Sequence, residues 1–137
     1  MKVTPSMPLA KITLTWECDG CAELIEDGEG HIEVSHDEVY EAEMKWKEGK
    51  KAHTTEGGWE MWGAQDLLAM PRPVRWHAWH SKCDPKPNAN IYWIAIERVR
   101  SLAGLLDLHG HMSEKNWTKY TDFDDIRRHL PDLYGVF

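Results

Sequence analysis

Two short motifs, Cys18-Asp-Gly-Cys21 and His80-Ser-Lys-Cys83, constrain this chain more than any other feature, because between them they hold all three of its cysteines. A structural zinc ion takes four thiolate or imidazole ligands in a tetrahedron, commonly as two close pairs from two separate turns. Cys-x2-Cys followed by His-x2-Cys has that form. The spacing predicts one structural zinc held by Cys18, Cys21, His80 and Cys83. The imidazole is open between two residues, since His77 lies on the same segment as His80 and either ring can reach the metal; the spacing to Cys83 favours His80. A redox pair is the competing reading of Cys18 and Cys21. Its reactive thiol needs a helix N-terminus to lower its pKa, and the five residues between Cys21 and Asp27-Gly28 leave no room for one.

An odd number of cysteines at metal spacing argues against a disulfide framework. The length of 137 residues suits one domain over 1–137 with a real core. No apolar run approaches the roughly twenty residues of a membrane span, and MKVTPSMPLA lacks the apolar centre of a signal peptide. A cytoplasmic protein with no membrane partner is the expectation. The net charge of −7 is polarised: residues 17–43 carry eleven acidic side chains and no Lys or Arg, while the remainder is slightly basic. Such a chain can offer a basic face to phosphates or an acidic face to a basic partner.

Along the chain, KITLTW (11–16) alternates apolar and polar residues as a half-buried strand does. AELIEDGEGHIEVS reads as two short strands about Asp27-Gly28-Glu29-Gly30. Ser35-His36-Asp37-Glu38 has the form of a capping box and predicts a helix from about 36 to 48, with Val39, Ala42 and Trp46 recurring beside Tyr40 and Met44. EGKKAHTTEGGWEMWG is then a long polar loop before a short helix over 64–69, ended by Pro71-Arg72-Pro73. Val74, Trp76 and Ala78 alternate toward His80 as a strand, and IYWIAIERVR (91–100) has the composition of a central strand. Ser101 caps a helix presenting Leu102, Leu105, Leu106, His109 and Met112, and Thr121-Asp-Phe-Asp124 starts a final short helix through Leu130. This order predicts an α+β fold: a small antiparallel sheet organised by a zinc knuckle, with three or four helices packed against it.

The runs CDGCAELIEDGEGHIEV, HSKCDPKPNANIYWIAIERVR and LHGHMSEKNWTKYTDFDDI together resemble small zinc-finger-like proteins of actinobacteria and their phages, over nearly the whole chain. The resemblance implies a metal site and a phage or prophage origin, and brings no catalytic residue with it.

A catalytic zinc keeps an open position beside a general base such as the Glu of His-x-Glu, and that motif is absent from the sequence. His109-Gly-His111 near Asn116 invites comparison with His-Asn-His nucleases, but the spacing differs from what one divalent ion between a strand and a following helix requires. His109 and Met112 read more simply as a packed helix face, and His31, His36, His53 and His129 as exposed surface.

Of the eight tryptophans, Trp16, Trp76 and Trp93 fall on strands where alternation points them inward. Trp59, Trp62 and Trp79 lie in or beside loops, where an exposed indole marks a partner or ligand site. The leading expectation is a non-enzymatic, zinc-stabilised module binding a protein partner through Trp59, Trp62 and Trp79 together with the acidic hairpin. The second is nucleic-acid binding, with Arg72, Arg75, Lys82 and Lys86 on phosphates and Trp79 stacking a base. The third is a metal-dependent nuclease or hydrolase.

Overall fold

The computed structural model describes residues 12–87 and 89–129. Its centre is a three-stranded antiparallel sheet made of β1 (Gly30–Ser35), β2 (His77–His80) and β3 (Ile91–Ala95), in the order β2-β1-β3. Ile32 lies opposite Ala78 on one side and Ile94 on the other, and these three form the apolar middle of one sheet face. Three α-helices accompany the sheet: α1 (His36–Ala52), α2 (Ala64–Leu68) and α3 (Leu102–Ser113). The α+β architecture with a small antiparallel sheet is therefore as the sequence implies. No helix among the described residues is long and apolar enough to cross a membrane.

Both long helices begin where their caps place them. Ser35 accepts the Glu38 N–H at 3.2 Å, and Ser101 accepts the Gly104 N–H at 3.0 Å, each satisfying a donor that the first helical turn leaves unpaired. Helix α1 runs four residues beyond the expected end at Glu48, with Lys50 and Lys51 in its last turn complementing the helix dipole. It buries Val39 and Ala42, while Tyr40 and Met44 are exposed. In α3 the buried face is Leu102, Leu105, Leu108 and Met112. Leu106 and His109, expected on that face, lie outside it, because the stripe drifts through Leu108.

Several other expectations are corrected. Residues 12–17 are extended and alternate in burial, with Leu14 and Trp16 fully enclosed, yet they join no sheet. They lie instead along the 99–102 segment: Leu14 N–H donates to Arg100 O at 2.6 Å, Leu102 N–H to Ile12 O at 2.9 Å, and the Trp16 indole N–H to Val99 O at 2.9 Å. Only the second arm of the expected hairpin is a strand, although Gly28 does supply its turn with a φ of +79°. The 91–100 run is an edge strand that ends at Ala95 and winds into a 3-10 turn over Ile96–Val99. Trp93 alternates with the buried Ile94, so it faces away from the core, and it is 60% exposed. The last expected helix is a 3-10 segment, Phe123–His129, with Leu130 outside the described residues.

Trp76 sits at the centre of the aromatic part of the core. Its indole N–H donates to Thr121 Oγ1 at 3.1 Å, and its ring meets Tyr92, Trp117 and Phe123 at centroid distances of 5.2 to 6.5 Å. A satisfied N–H lets so large a ring be fully buried.

Candidate metal centre

The sheet and the turn before it bring the two cysteine motifs together. Cys18 ends the extended segment, and the turn that follows is fixed by three backbone bonds: Cys18 N–H to Glu23 O, Ala22 N–H to Cys18 O, and Asp19 N–H to Ala78 O, each 2.8 Å. The last of these ties the turn to β2. Asp19 adds to that tie through its carboxylate, which accepts the Ala78 N–H and pairs with His77 Nδ1, both at 3.1 Å. Ala22 sits in this turn at φ +64°, a left-handed conformation that residues carrying a side chain rarely adopt. His80 is the last residue of β2, and a 3-10 turn over Ser81–Cys83 returns the third cysteine toward the first two.

The donor atoms of Cys18, Cys21, His80 and Cys83 all lie within 4.8 Å of one another. His80 Nδ1 is 3.3 Å from Cys21 Sγ and 4.0 Å from Cys83 Sγ. These separations match the roughly 3.5 Å edge of a tetrahedron with metal–sulfur bonds of about 2.3 Å and metal–nitrogen bonds of about 2.0 Å. The set can hold a metal ion. The ring that enters it is His80, whose other nitrogen, Nε2, is 3.0 Å from Leu24 O and so carries the proton, leaving Nδ1 free to ligate. His77 is turned to Asp19 and stacks on Trp79 at 5.2 Å.

The sulfurs are prepared unequally. Burial works to raise the Cys18 pKa, but N–H groups of His80, Cys21 and Gly20, with the His80 ring, outweigh it and bring the thiol down to about 6. Two of those contacts are direct: the N–H groups of Gly20 and His80 each lie 3.3 Å from Cys18 Sγ. Cys83 is pushed up to about 11 by desolvation and by the neighbouring Cys18 and Cys21 sulfurs. At neutral pH Cys18 would be a ready anionic ligand, whereas a metal bound here would have to displace the proton of Cys83 and so release acid. Trp79 closes one side, since a Cβ on Gly20 would come within 3.3 Å of its ring and 3.2 Å of Cys83 Cβ. This indole packs on the cysteine turn and the core.

The remaining candidates divide. Arg72, Arg75, Lys82 and Lys86 are all exposed. His109 borders a cavity of about 500 Å³ with Asn116 and lies 3.5 Å from Asp124, but His111 does not line that cavity. Among the described residues, neither histidine belongs to any group of three or more close metal-ligating side chains. Three histidines expected on the surface are engaged. His31 contacts Glu33 and Asp84, His36 packs edge-on against Tyr92 and Trp117, and His53 stacks on Trp62 at 4.3 Å. The side chain of His129 lies outside the described residues.

The sequence reading missed the trio of His31, Glu33 and Asp84. Its available signal was the i, i+2 spacing of His31 and Glu33 on a strand, which puts both on one sheet face. Glu33 has its pKa raised by burial and by the Asp84 carboxyl, against the opposing pull of His31. No protein-family model, curated protein or solved structure matches the chain.

Proposed function

We propose that this chain is a zinc-stabilised interaction module without an enzymatic role, and that its partner-binding surface is the 53–63 loop together with α2. The observation that carries this reading is a run of large apolar side chains left in solvent there: Trp59 is 75% exposed, Met61 68%, Leu67 49% and Leu68 83%. Contiguous exposed apolar residues on an otherwise well-packed domain mark an interaction surface.

The loop is held in shape. Thr55 N–H donates to Trp59 O and Met61 N–H to His53 O, both at 2.8 Å, and Gly58 turns the tip at φ +84°. Trp62 anchors this structure by leaning on α1 against His53 and Trp46, so of the three candidate indoles Trp59 is the one presented. A preformed loop loses little entropy when a partner docks. Beside it, three lysines, Lys47, Lys50 and Lys119, and one acid, Glu60, border a cavity of about 410 Å³ with Trp46, Trp62 and Tyr120, so the lining is net basic. The partner that suits this surface is a protein segment with apolar anchors flanked by acidic residues.

Zinc is the metal this reading assigns, because three thiolates and one imidazole leave no position open in a tetrahedron. The likeness to small proteins of actinobacteria and their phages supports a phage or prophage origin, a place in the host cytoplasm, and a host or phage protein as partner. The test is capture from host lysate with wild-type protein and the Trp59→Ala/Leu68→Ala double variant. The wild type should retain a partner that the variant loses, at unchanged unfolding temperature. Equal capture by both would remove the loop from the interface. Binding of DNA that falls steeply with salt and disappears in Arg72→Glu/Arg75→Glu would replace this reading with the nucleic-acid one. Hydrolysis lost on changing His109 or His111 in a folded protein would replace it with an enzymatic one.

A further inference from the structure

We infer that His31, Glu33 and Asp84 form a second divalent-metal site, separate from the cysteine centre and open to a cavity on the opposite face of the sheet. His31 and Glu33 project from the face of β1 that does not carry Ile32 and Val34. Asp84 reaches them from the loop that follows Cys83. His31 Nε2 is 2.9 Å from Glu33 Oε1 and 3.4 Å from Asp84 Oδ2, and the three donor atoms all lie within 4.8 Å of one another. Metal–ligand bonds of about 2.1 Å put neighbouring ligands of an octahedron roughly 3.0 Å apart, close to the two separations that His31 makes with Glu33 and Asp84.

Burial distinguishes this trio from a chance surface cluster. The side chains are 13%, 10% and 4% exposed for His31, Glu33 and Asp84. Two carboxylates so enclosed are costly unless a cation or a proton joins them. Among the described residues, His31 is the only basic side chain within ion-pairing distance of either.

Three protein ligands leave further coordination positions, and the structure provides space for them. A cavity of about 270 Å³ is lined by His31, Ser81, Asp84, Pro87, Ile91 and Trp93. Trp93, exposed on the sheet face opposite Ile94, stands edge-on to His31 at 6.0 Å and forms one wall. One imidazole with two carboxylates is a harder donor set than three thiolates with an imidazole, and suits ions that prefer oxygen and nitrogen. The two centres should therefore sort metals: zinc to the cysteines, and a manganese- or iron-like divalent ion, exchangeable and carrying water, to the trio. Asp84 directly follows Cys83, so folding of the first site positions a ligand of the second.

The probe is Mn²⁺ titrated into zinc-loaded protein, with free ion followed by electron paramagnetic resonance and zinc content measured in parallel. Wild type should take up one Mn²⁺ per chain with its zinc retained. Glu33→Gln, nearly isosteric, and His31→Gln should each weaken Mn²⁺ binding roughly tenfold or more while zinc content and circular dichroism stay unchanged. Glu33→Gln keeps the assay decisive if Asp84→Asn disturbs the adjacent Cys83. Absence of Mn²⁺ uptake by the wild type, or uptake indifferent to Glu33→Gln, would overturn the site and leave the trio as a hydrogen-bonded group sharing a proton.

Discussion

Residues 74–83 and residues 53–68 each carry two tryptophans, and the chain treats them in opposite ways. In the first segment Trp76 is wholly buried with its N–H satisfied by Thr121, and Trp79 lies against the turn bearing Cys18 and Cys21. In the second, Trp62 leans on α1 while Trp59 stands in solvent at the tip of a hydrogen-bonded loop. The indoles are chemically identical. The difference is in what reaches them. A strand ladder and the cysteine turn bonded to β2 fix the 74–83 backbone against the rest of the molecule, whereas the 53–63 loop is braced mainly on itself and one helix. Under the proposed reading, stability and recognition would fall to separate stretches of chain.

The strongest way to break this contrast is to remove the metal. Cys18→Ser and Cys83→Ser are each expected to abolish metal binding and to lower the unfolding temperature by a large margin, since structural zinc typically contributes on the order of 10 kcal/mol to small domains. Metal analysis with calorimetry checks this, and a metal-free variant as stable as its parent would leave the 74–83 segment no better fixed than the loop.

Next in size is the direct comparison of two indoles. Trp76→Ala should cost about 3 to 5 kcal/mol, the usual range for emptying a core aromatic site. Trp59→Ala should stay within about 0.5 kcal/mol, as exposed substitutions generally do. Urea unfolding measures both, and similar losses would erase the distinction between the segments.

Gly30→Ala should come third. A Cβ there would collide with the carbonyl oxygen of Trp79 and lie 2.7 Å from Ile25 Cγ2. Overpacking of this kind typically costs about 1 to 3 kcal/mol, and because the added Cβ would also come 3.1 Å from His80 Cα, the variant sharpens the comparison by pressing on β2 beside the candidate centre without replacing a ligand.

Smallest, and opposite in sign, is Ala22→Gly. The +64° φ of Ala22 is strained for alanine, so glycine should raise stability by up to about 1 kcal/mol after its greater chain entropy is counted. A stabilised variant with unaltered metal content would locate that strain in the cysteine turn.

The sequence disclosed what is local. Ser35 and Ser101 mark their helices because a cap acts within three residues, and the two cysteine motifs mark a metal set because ligand spacing is itself the chemistry. It did not disclose pairing. The alternation of Leu14 and Trp16 correctly implies which side chains are enclosed, but the same pattern serves an extended segment bonded to 99–102 as well as a strand in a sheet. Trp93 shows the converse error: β-rich composition suits an edge strand as well as a central one, and alternation along β3 does not say by itself which of its two faces is covered, here that of Ile94 and not that of Trp93. Asp84 was beyond sequence reasoning because its approach to His31 depends on the 3-10 turn over Ser81–Cys83 and on where that turn sits against β1.

The central claim is that Cys18, Cys21, His80 and Cys83 bind a zinc that joins two distant parts of the chain into one folded unit. The most direct measurement is zinc content and thermal unfolding of protein purified without added metal, before and after exposure to a strong chelator. One tightly held zinc per chain, with its removal sharply lowering the unfolding temperature and readdition restoring it, is the predicted result. Protein that carries no metal and unfolds at the same temperature with or without chelator would contradict the account.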